Sequence, residues 1–293
     1  MTAITRRTFL RAGAGVAGAA VLAGCGGGSS KAKGQSFTND PVKGFGIAIG
    51  TAQALAGVDQ RIVVGLFEKG QTVTGDKAVR LSFAPDVLHT TFEPAQVAAF
   101  HGDGIPTKPY YEVVHRFSQP GTWIVKAEMA GGKVTATKFP VIDPAQSKVP
   151  VPGQPMLKVA SPTTADPMGV SPLCTRQPAP CPFHQLSLDT ALGNGKPTAV
   201  LFATPALCES RTCGPVLEVL MATAPAFTGK VQLVHVEVWT DLQAQKHVPA
   251  FEAYGLDFEP ILFLADGKGT VRERLDGPYD TVDARAALTR LLA

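Results

Sequence analysis

No acidic residue occurs before position 25, and Arg6, Arg7 and Arg11 account for the whole formal excess of +3. The remainder of the chain is charge-balanced. Nothing in that balance suggests the clustered basic surface of a nucleic-acid partner, and none is expected. The apolar run behind those arginines, 12–24, falls short of the ~20 residues of a spanning helix. Cysteine is sparse, at positions 25, 174, 181, 208 and 213 only, which leaves one odd residue and two close pairs. The stretch 40–145 has no cysteine at all, so an antibody-type disulfide is excluded there. What remains is a chain of 293 residues, 45% apolar, long enough for two domains of ordinary size.

Thr5-Arg6-Arg7-Thr8-Phe9-Leu10 resembles the twin-arginine export motif, followed by an Ala/Gly-rich hydrophobic run. Leu22-Ala23-Gly24-Cys25 resembles the lipobox of bacterial lipoproteins. That resemblance implies a signal peptide over 1–24, lipidation of Cys25, a tether over 25–39 and an extracytoplasmic, membrane-anchored protein. Each buried CH₂ of an acyl chain contributes ~0.8 kcal/mol, so several chains on one residue anchor stably. A cleaved soluble signal with an incidental Cys25 is the other reading. Disulfides persist outside the cytoplasm.

Residues 40–145 read as an all-β domain. Strand-like runs at 44–49, 60–67, 78–83, 110–117, 122–129 and 133–141 are separated by turn signals such as Gly75-Asp76, Pro120-Gly121 and Gly131-Gly132. The stretch Tyr111–Phe117 followed by Gln119-Pro120-Gly121-Thr122-Trp123 is similar to the late hairpin of immunoglobulin-like modules. A sandwich is thus implied, with no function attached. His89, His101 and His115 are spaced by 12 and 14 residues with no cysteine or methionine that would complete a copper motif. They read as solvated loop histidines.

Prolines crowd 146–182, which reads as an extended linker. Cys174 and Cys181 bracket six residues that include two prolines, a spacing that suits a structural disulfide. A catalytic pair is the alternative. Cys174, Cys181 and His184 offer three metal ligands with no fourth candidate close in sequence.

From 183 to the end the pattern is α/β. A continuous apolar run at 198–203 reads as a strand covered on both faces. A loop follows, holding Cys208 and Cys213 with four residues between them. Then come a helix at 215–224, a strand at 232–239, a helical segment at 242–254 interrupted by Pro249, strands at 261–265 and 270–275, and a last helix at 281–292. This β-α-β-α-β-β-α order is that of the thioredoxin fold, and Cys213-Gly214-Pro215 is similar to the start of thioredoxin's Cys-Gly-Pro-Cys. Glu259-Pro260-Ile261, followed by the Asp266-Gly267-Lys268-Gly269 turn, resembles the stretch carrying that family's cis-proline; by that resemblance Pro260 faces the cysteine loop. Three departures stand out: Val216 occupies the place of thioredoxin's second cysteine, Thr212 precedes the first, and Glu259 precedes the proline.

The expected chemistry is thiol–disulfide exchange with exported protein thiols or disulfides, without cofactor or metal. Cys213, at a helix N-terminus, is expected to have a lowered pKa and to act as nucleophile, with Cys208 resolving; the reverse assignment is open. Two other readings stand beside it. One is a non-catalytic binding module with structural disulfides. The other is a copper chaperone of the Sco type with His184, His235 or His247 as third ligand, although His235 reads as a packed core residue.

Overall fold

The computed structural model describes residues 39–75, 77–87 and 91–293. The proposed signal, lipobox and tether, and His89, lie outside the described residues. Alternating apolar residues build two facing sheets in the first lobe. One orders β1 (Phe45–Ile49), β3 (Gln60–Glu68), β8 (Tyr110–His115) and β7 (Ala99–His101), with β4 (Gln71–Thr72) on the end of β3. The other orders β2 (Ala54–Leu55), β10 (Lys133–Ile142), β9 (Gly121–Met129), β5 (Arg80–Pro85) and β6 (Gln96–Val97). All neighbours are antiparallel except β2, which runs parallel to β10. Ile62, Val64 and Leu66 of β3 point into the shared core with Phe83, Trp123 and Val125, as period-2 alternation demands.

The expectation for two histidines is corrected here. His115 is buried against Phe83, ring centroids 4.2 Å apart. His101 stacks on Tyr110 at 4.9 Å and faces Asp280. Both side chains carry enough apolar ring to be useful packing material wherever a strand turns them inward, and loop spacing does not report that.

The second lobe is a four-stranded sheet in the order β12 (Gln232–Val236), β11 (Thr198–Phe202), β13 (Ile261–Ala265) and β14 (Val271–Asp276). Strands β11 and β12 are parallel; β13 and β14 are antiparallel to their neighbours. Every residue of β11 and β13 is buried, because both faces are covered. Leu201 and Leu262 pack under α2 (Cys213–Thr223) and α4 (Thr281–Leu291). Val200, Phe202 and Phe263 pack on the other side, against Phe251 of α3 (Pro249–Ala253) and Leu188 of α1 (Leu188–Ala191). The helical segment expected over 242–254 shrinks to α3. Pro249 starts it at the first turn, where no N–H is missed, and Trp239 bridges to His247 in the preceding loop.

The proline-rich segment after β10 does not stand off as a spacer. Gly153 N–H donates to Val271 O at 2.8 Å and Met156 N–H to Gly269 O at 2.8 Å, so it adds backbone pairing along β14. Val149, Met156 and Val170 are buried in the core behind Phe202.

The two lobes share one core: Val63 and Tyr110 are buried in the same cluster as Leu275, Tyr279 and Ala287. Gly277 (φ +75°) sits where a Cβ would lie 1.9 Å from Gly50 O, so only glycine allows this approach. Arg61 completes the seam, donating to Glu112 at 2.7 Å, Asp283 at 2.8 Å and Pro278 O at 2.9 Å. Asp280 caps α4 by accepting from Asp283 N–H at 3.0 Å, and it also accepts from Gly102 N–H at 3.1 Å. Asp280→Ala therefore removes a helix cap and a lobe-to-lobe bond together. The expected loss is about 2 kcal/mol of stability, read as a lower urea midpoint at unchanged m-value; a loss below about 0.5 kcal/mol would disprove the seam's contribution. Among the described residues, no helix is long and apolar enough to cross a membrane.

Candidate functional site

The apolar run of β11 ends at Phe202, and the chain turns out of the sheet through 203–212 before α2 begins. Cys208 N–H donates to Thr204 O at 3.0 Å and Arg211 N–H to Cys208 O at 3.0 Å, two successive tight turns. Arg211 takes a left-handed conformation, φ 56°, unusual for a residue with a Cβ. The loop thereby curls back so that Cys208 lies over the N-terminus of α2. Cys213 is the first residue of that helix, and Gly214 and Pro215 follow in its first turn.

This geometry reverses the expected charge states. Cys213 N–H donates to the Cys208 sulfur at 3.4 Å, and the Ser210 hydroxyl lies 3.1 Å from it. The free N–H at the start of α2 thus serves Cys208, not the sulfur of its own residue. The neighbouring Cys213 thiol contributes most, followed after burial by the Ser210 hydroxyl and the Cys213 and Thr212 N–H groups, and together these donors outweigh burial and lower the Cys208 pKa to about 5. Cys213 is fully buried, 0% exposed against 7% for Cys208. Burial pushes its thiol well above the ordinary range, with further help from Cys208 and Glu259. At Cys213 burial, beside Glu259, outweighs the pull of the helix N-terminus.

Opposite the thiols stands the corner that leads into β13. The Glu259–Pro260 peptide is cis, and Pro260 is buried, with its carbonyl accepting from Gly277 N–H at 3.0 Å. The preceding Glu259 carboxylate accepts from Thr204 N–H and from the Cys213 thiol at 3.4 Å. Burial, reinforced by the negative Cys208, pushes the Glu259 carboxyl up to about 8. Cys208, Cys213 and Glu259 present their reactive atoms within 4.8 Å of one another. Sequence reasoning registered Glu259 only as a departure from thioredoxin. Its one sequence signal is its place directly before Pro260; the fold decides which groups that place confronts.

Like Cys208 and Cys213, Cys174 and Cys181 of the first pair are unbonded in this structure. Both sulfurs face His235 Nδ1, at 3.9 and 3.3 Å, and His184 Nε2 lies 3.1 Å from the same nitrogen. His235 is buried, as expected for a core histidine, but it is surrounded by polar atoms rather than by apolar packing. His184 and His235 are thus committed to this pair and not to Cys208 and Cys213. His247 stacks on Trp239 at 4.1 Å and on Phe251 at 4.8 Å. Among the described residues the third potential ligand grouped with Cys208 and Cys213 is Glu259. A third group of possible ligands, His101, Glu112 and Asp283, is already engaged at the lobe seam.

The two cysteine loops touch. Ala206 N–H donates to the Thr175 hydroxyl at 3.1 Å, and Thr175 N–H donates to the buried Glu237 carboxylate at 2.6 Å. Arg176 reaches α2, donating to Glu218 at 2.6 Å.

No family model matches the chain, and no curated protein does. Similar solved structures include thioredoxin-like thiol:disulfide interchange proteins. A thioredoxin family protein of that kind from Chlorobium tepidum TLS is 12% identical, with 49% of this chain and 99% of that one covered and a TM-score of 0.31. StoA from Bacillus subtilis is 20% identical, covering 32% and 83%, with a TM-score of 0.27. The thioredoxin-like superfamily protein SPOA0173 is 16% identical, covering 37% and 86%, with a TM-score of 0.30. Likenesses this distant carry no statement about activity.

Proposed function

We propose that this chain is a thiol–disulfide oxidoreductase of thioredoxin type that works on exported proteins, exchanging disulfides through Cys208 and Cys213. The observation that carries the reading is the Cys208 sulfur. It receives hydrogen bonds from the start of α2 and from Ser210, and a second thiol and a carboxyl group lie within 4.8 Å.

In this reading the Cys208 thiolate attacks a substrate disulfide, forming a mixed disulfide and releasing one substrate thiolate. Cys213 passes its proton to the Glu259 carboxylate and attacks the Cys208 sulfur. The second substrate thiolate leaves and takes up the proton. The substrate gains two electrons and the cysteine pair becomes a disulfide. A thiol reductant restores the pair, and the same steps run backwards under a disulfide oxidant. Pro260 holds the backbone corner that presents Glu259, and it is the candidate seat for a partner's backbone.

The proposal extends to placement. The twin-arginine and lipobox resemblances at Arg6-Arg7 and Cys25 support export and lipid anchoring at the extracytoplasmic face of the membrane. The first lobe is read as an immunoglobulin-like module, because its order β1-β3-β8-β7 facing β10-β9-β5 follows the ABED and GFC arrangement.

The test is whether the full chain catalyses dithiothreitol-driven reduction of a disulfide-bonded model protein, together with the potential of the Cys208–Cys213 couple. Catalysis with a potential above about −300 mV is expected. A more negative potential without catalysis would leave a binding module with a structural disulfide.

A further inference from the structure

Four side chains that play no part in the exchange steps converge at one buried point. Cys174, Cys181 and His184 come from one loop with Cys-x₆-Cys-x₂-His spacing, and His235 comes from β12. All four are nearly or fully inaccessible, at 5%, 5%, 2% and 0% exposed. The proton positions explain why they are unsatisfied as they stand. His235 Nε2 lies 2.9 Å from the Ala203 carbonyl, which only accepts, so Nε2 carries the ring proton and Nδ1 is left with a single lone pair. Three groups face that lone pair: Cys181 Sγ at 3.3 Å, His184 Nε2 at 3.1 Å and Cys174 Sγ at 3.9 Å. One lone pair accepts one hydrogen bond. Buried polar atoms left competing for one lone pair are costly, and a cation shared by the two sulfurs, His184 Nε2 and His235 Nδ1 resolves the convergence.

We infer that Cys174, Cys181, His184 and His235 form a structural zinc site. The donor set is the Cys₂His₂ combination that suits Zn²⁺. A tetrahedron with Zn–S of ~2.3 Å and Zn–N of ~2.0 Å has ligand-to-ligand edges of roughly 3.3–3.8 Å. The contacts at His235 Nδ1, 3.1, 3.3 and 3.9 Å, straddle that range, and all four donor atoms lie within 4.8 Å of one another. The surrounding hydrogen bonds are those of a metal site too. The Ala203 carbonyl fixes the tautomer and orientation of His235, as outer-shell partners of zinc-bound imidazoles do, and Cys181 N–H donates to the Cys174 sulfur at 3.4 Å. With four protein ligands no position stays open, so the site is structural rather than catalytic. Binding replaces two thiol protons: Zn²⁺ and two Cys–SH give the bis-thiolate complex and two H⁺. The ion would fasten the proline-rich segment to β12, next to the loop that carries Cys208. A disulfide between Cys174 and Cys181 would do the same fastening covalently, but it would leave the two imidazoles only each other and the Ala203 carbonyl as partners.

The test uses the full chain, reduced, with Co²⁺ as the spectroscopic probe and Zn²⁺ as its competitor. One Co²⁺ per chain is expected, with the visible bands of a tetrahedral ion and near-ultraviolet thiolate-to-metal charge transfer, all bleached by one equivalent of Zn²⁺. Cys208→Ser/Cys213→Ser should keep this spectrum although it removes the exchange pair, so the inference stands or falls separately from the proposed reaction. Cys174→Ser and Cys181→Ser should each weaken Zn²⁺ in chelator competition by more than about 100-fold, the upper end of what losing an outer-shell partner costs. The wild-type spectrum decides the matter even where a variant does not fold. No tetrahedral Co²⁺ spectrum in the reduced wild type, or one lost in Cys208→Ser/Cys213→Ser but kept in Cys181→Ser, overturns the site. So does recovery of Cys174–Cys181 as a disulfide in protein alkylated on lysis, with no metal taken up after reduction.

Discussion

Cys208→Ser should abolish disulfide exchange, and Cys213→Ser should instead stop it halfway with a mixed disulfide on Cys208. The structure sets this asymmetry, because the hydrogen-bond donors at the start of α2 and Ser210 converge on the Cys208 sulfur. With a pKa of about 5, Cys208 is about 90% thiolate at pH 6, against about 0.3% for an ordinary thiol of pKa ~8.5. Part of that ~300-fold gain is returned, since a less basic thiolate is intrinsically a weaker nucleophile by a Brønsted slope of ~0.4–0.5. A net advantage of about tenfold at pH 6 remains. Removing Cys208 removes the attacking atom itself, and turnover should fall by at least ~10³-fold. Removing Cys213 spares the first step and deletes the second. Alkylation rates against pH, with peptide mapping, report the first step; mass spectrometry of the trapped adduct reports the second. Rapid alkylation at Cys213, or an adduct trapped on Cys213 in the Cys208→Ser protein, would reverse the assignment.

Glu259→Gln should slow the second step by about 10²-fold above pH 8 and leave the first unchanged. The carboxylate accepts the Cys213 proton across 3.4 Å, and proton transfer by a positioned base is worth ~10²–10⁴. Glutamine keeps an acceptor oxygen but cannot take up a proton. The pH dependence follows from two opposite shifts. Between about pH 5 and about 8 the site holds one negative charge, on Cys208, with Glu259 protonated. Once Cys208 is tied into the mixed disulfide its charge no longer holds the Glu259 proton, so the carboxyl ionises below about 8 and becomes the base. In the wild type, resolution should therefore accelerate with rising pH over a range that ends by about 8, and in Glu259→Gln it should not.

Stability carries the same signature. The folded-state pKa of Glu259 is raised, so its contribution is fully present below the unfolded value of 4.5 and is lost as pH rises to about 8. Glu259→Gln removes that loss and should gain on the wild type across this window, by at most ~5 kcal/mol. The depressed pKa of Cys208 acts in the opposite direction, stabilising above the unfolded thiol value and losing that contribution as pH falls through about 5. It is common to both proteins and drops out of the comparison. Urea titrations of the pair at pH 5, 7 and 9 check the sign; a difference that stays constant across the three rules out an elevated Glu259 pKa.

Particular stretches show how much of this was legible beforehand. The run 198–203 announced a strand covered on both faces because five consecutive apolar or small residues leave no side for water, and β11 is buried throughout. The Gly267-Lys268-Gly269 turn announced the β13–β14 hairpin through its glycines. Pro249 marked a helix start, but the helix expected before it is absent, because residues 242–248 are held by the Trp239–His247 bridge and not by an apolar stripe. His235 looked like a core residue from its alternation in a strand. Nothing near it in the sequence pointed to Cys174 and Cys181, more than 50 residues away.

What the sequence by itself determined is the order of the main strands and of α2 and α4 in the second lobe, and the turns that carry the two cysteine pairs. Those features are written in hydrophobic periodicity and turn chemistry, which act over a few neighbouring residues. That the proline corner faces the cysteine loop came from the resemblance to thioredoxin. Only the tertiary structure decided which thiol ionises, that Glu259 joins it, and that His235 completes the set around Cys174 and Cys181. A charge state depends on burial and on which donors reach a given atom. Those donors come from a loop curling over α2, from the corner before β13 and from β12, segments brought together only when the sheet forms.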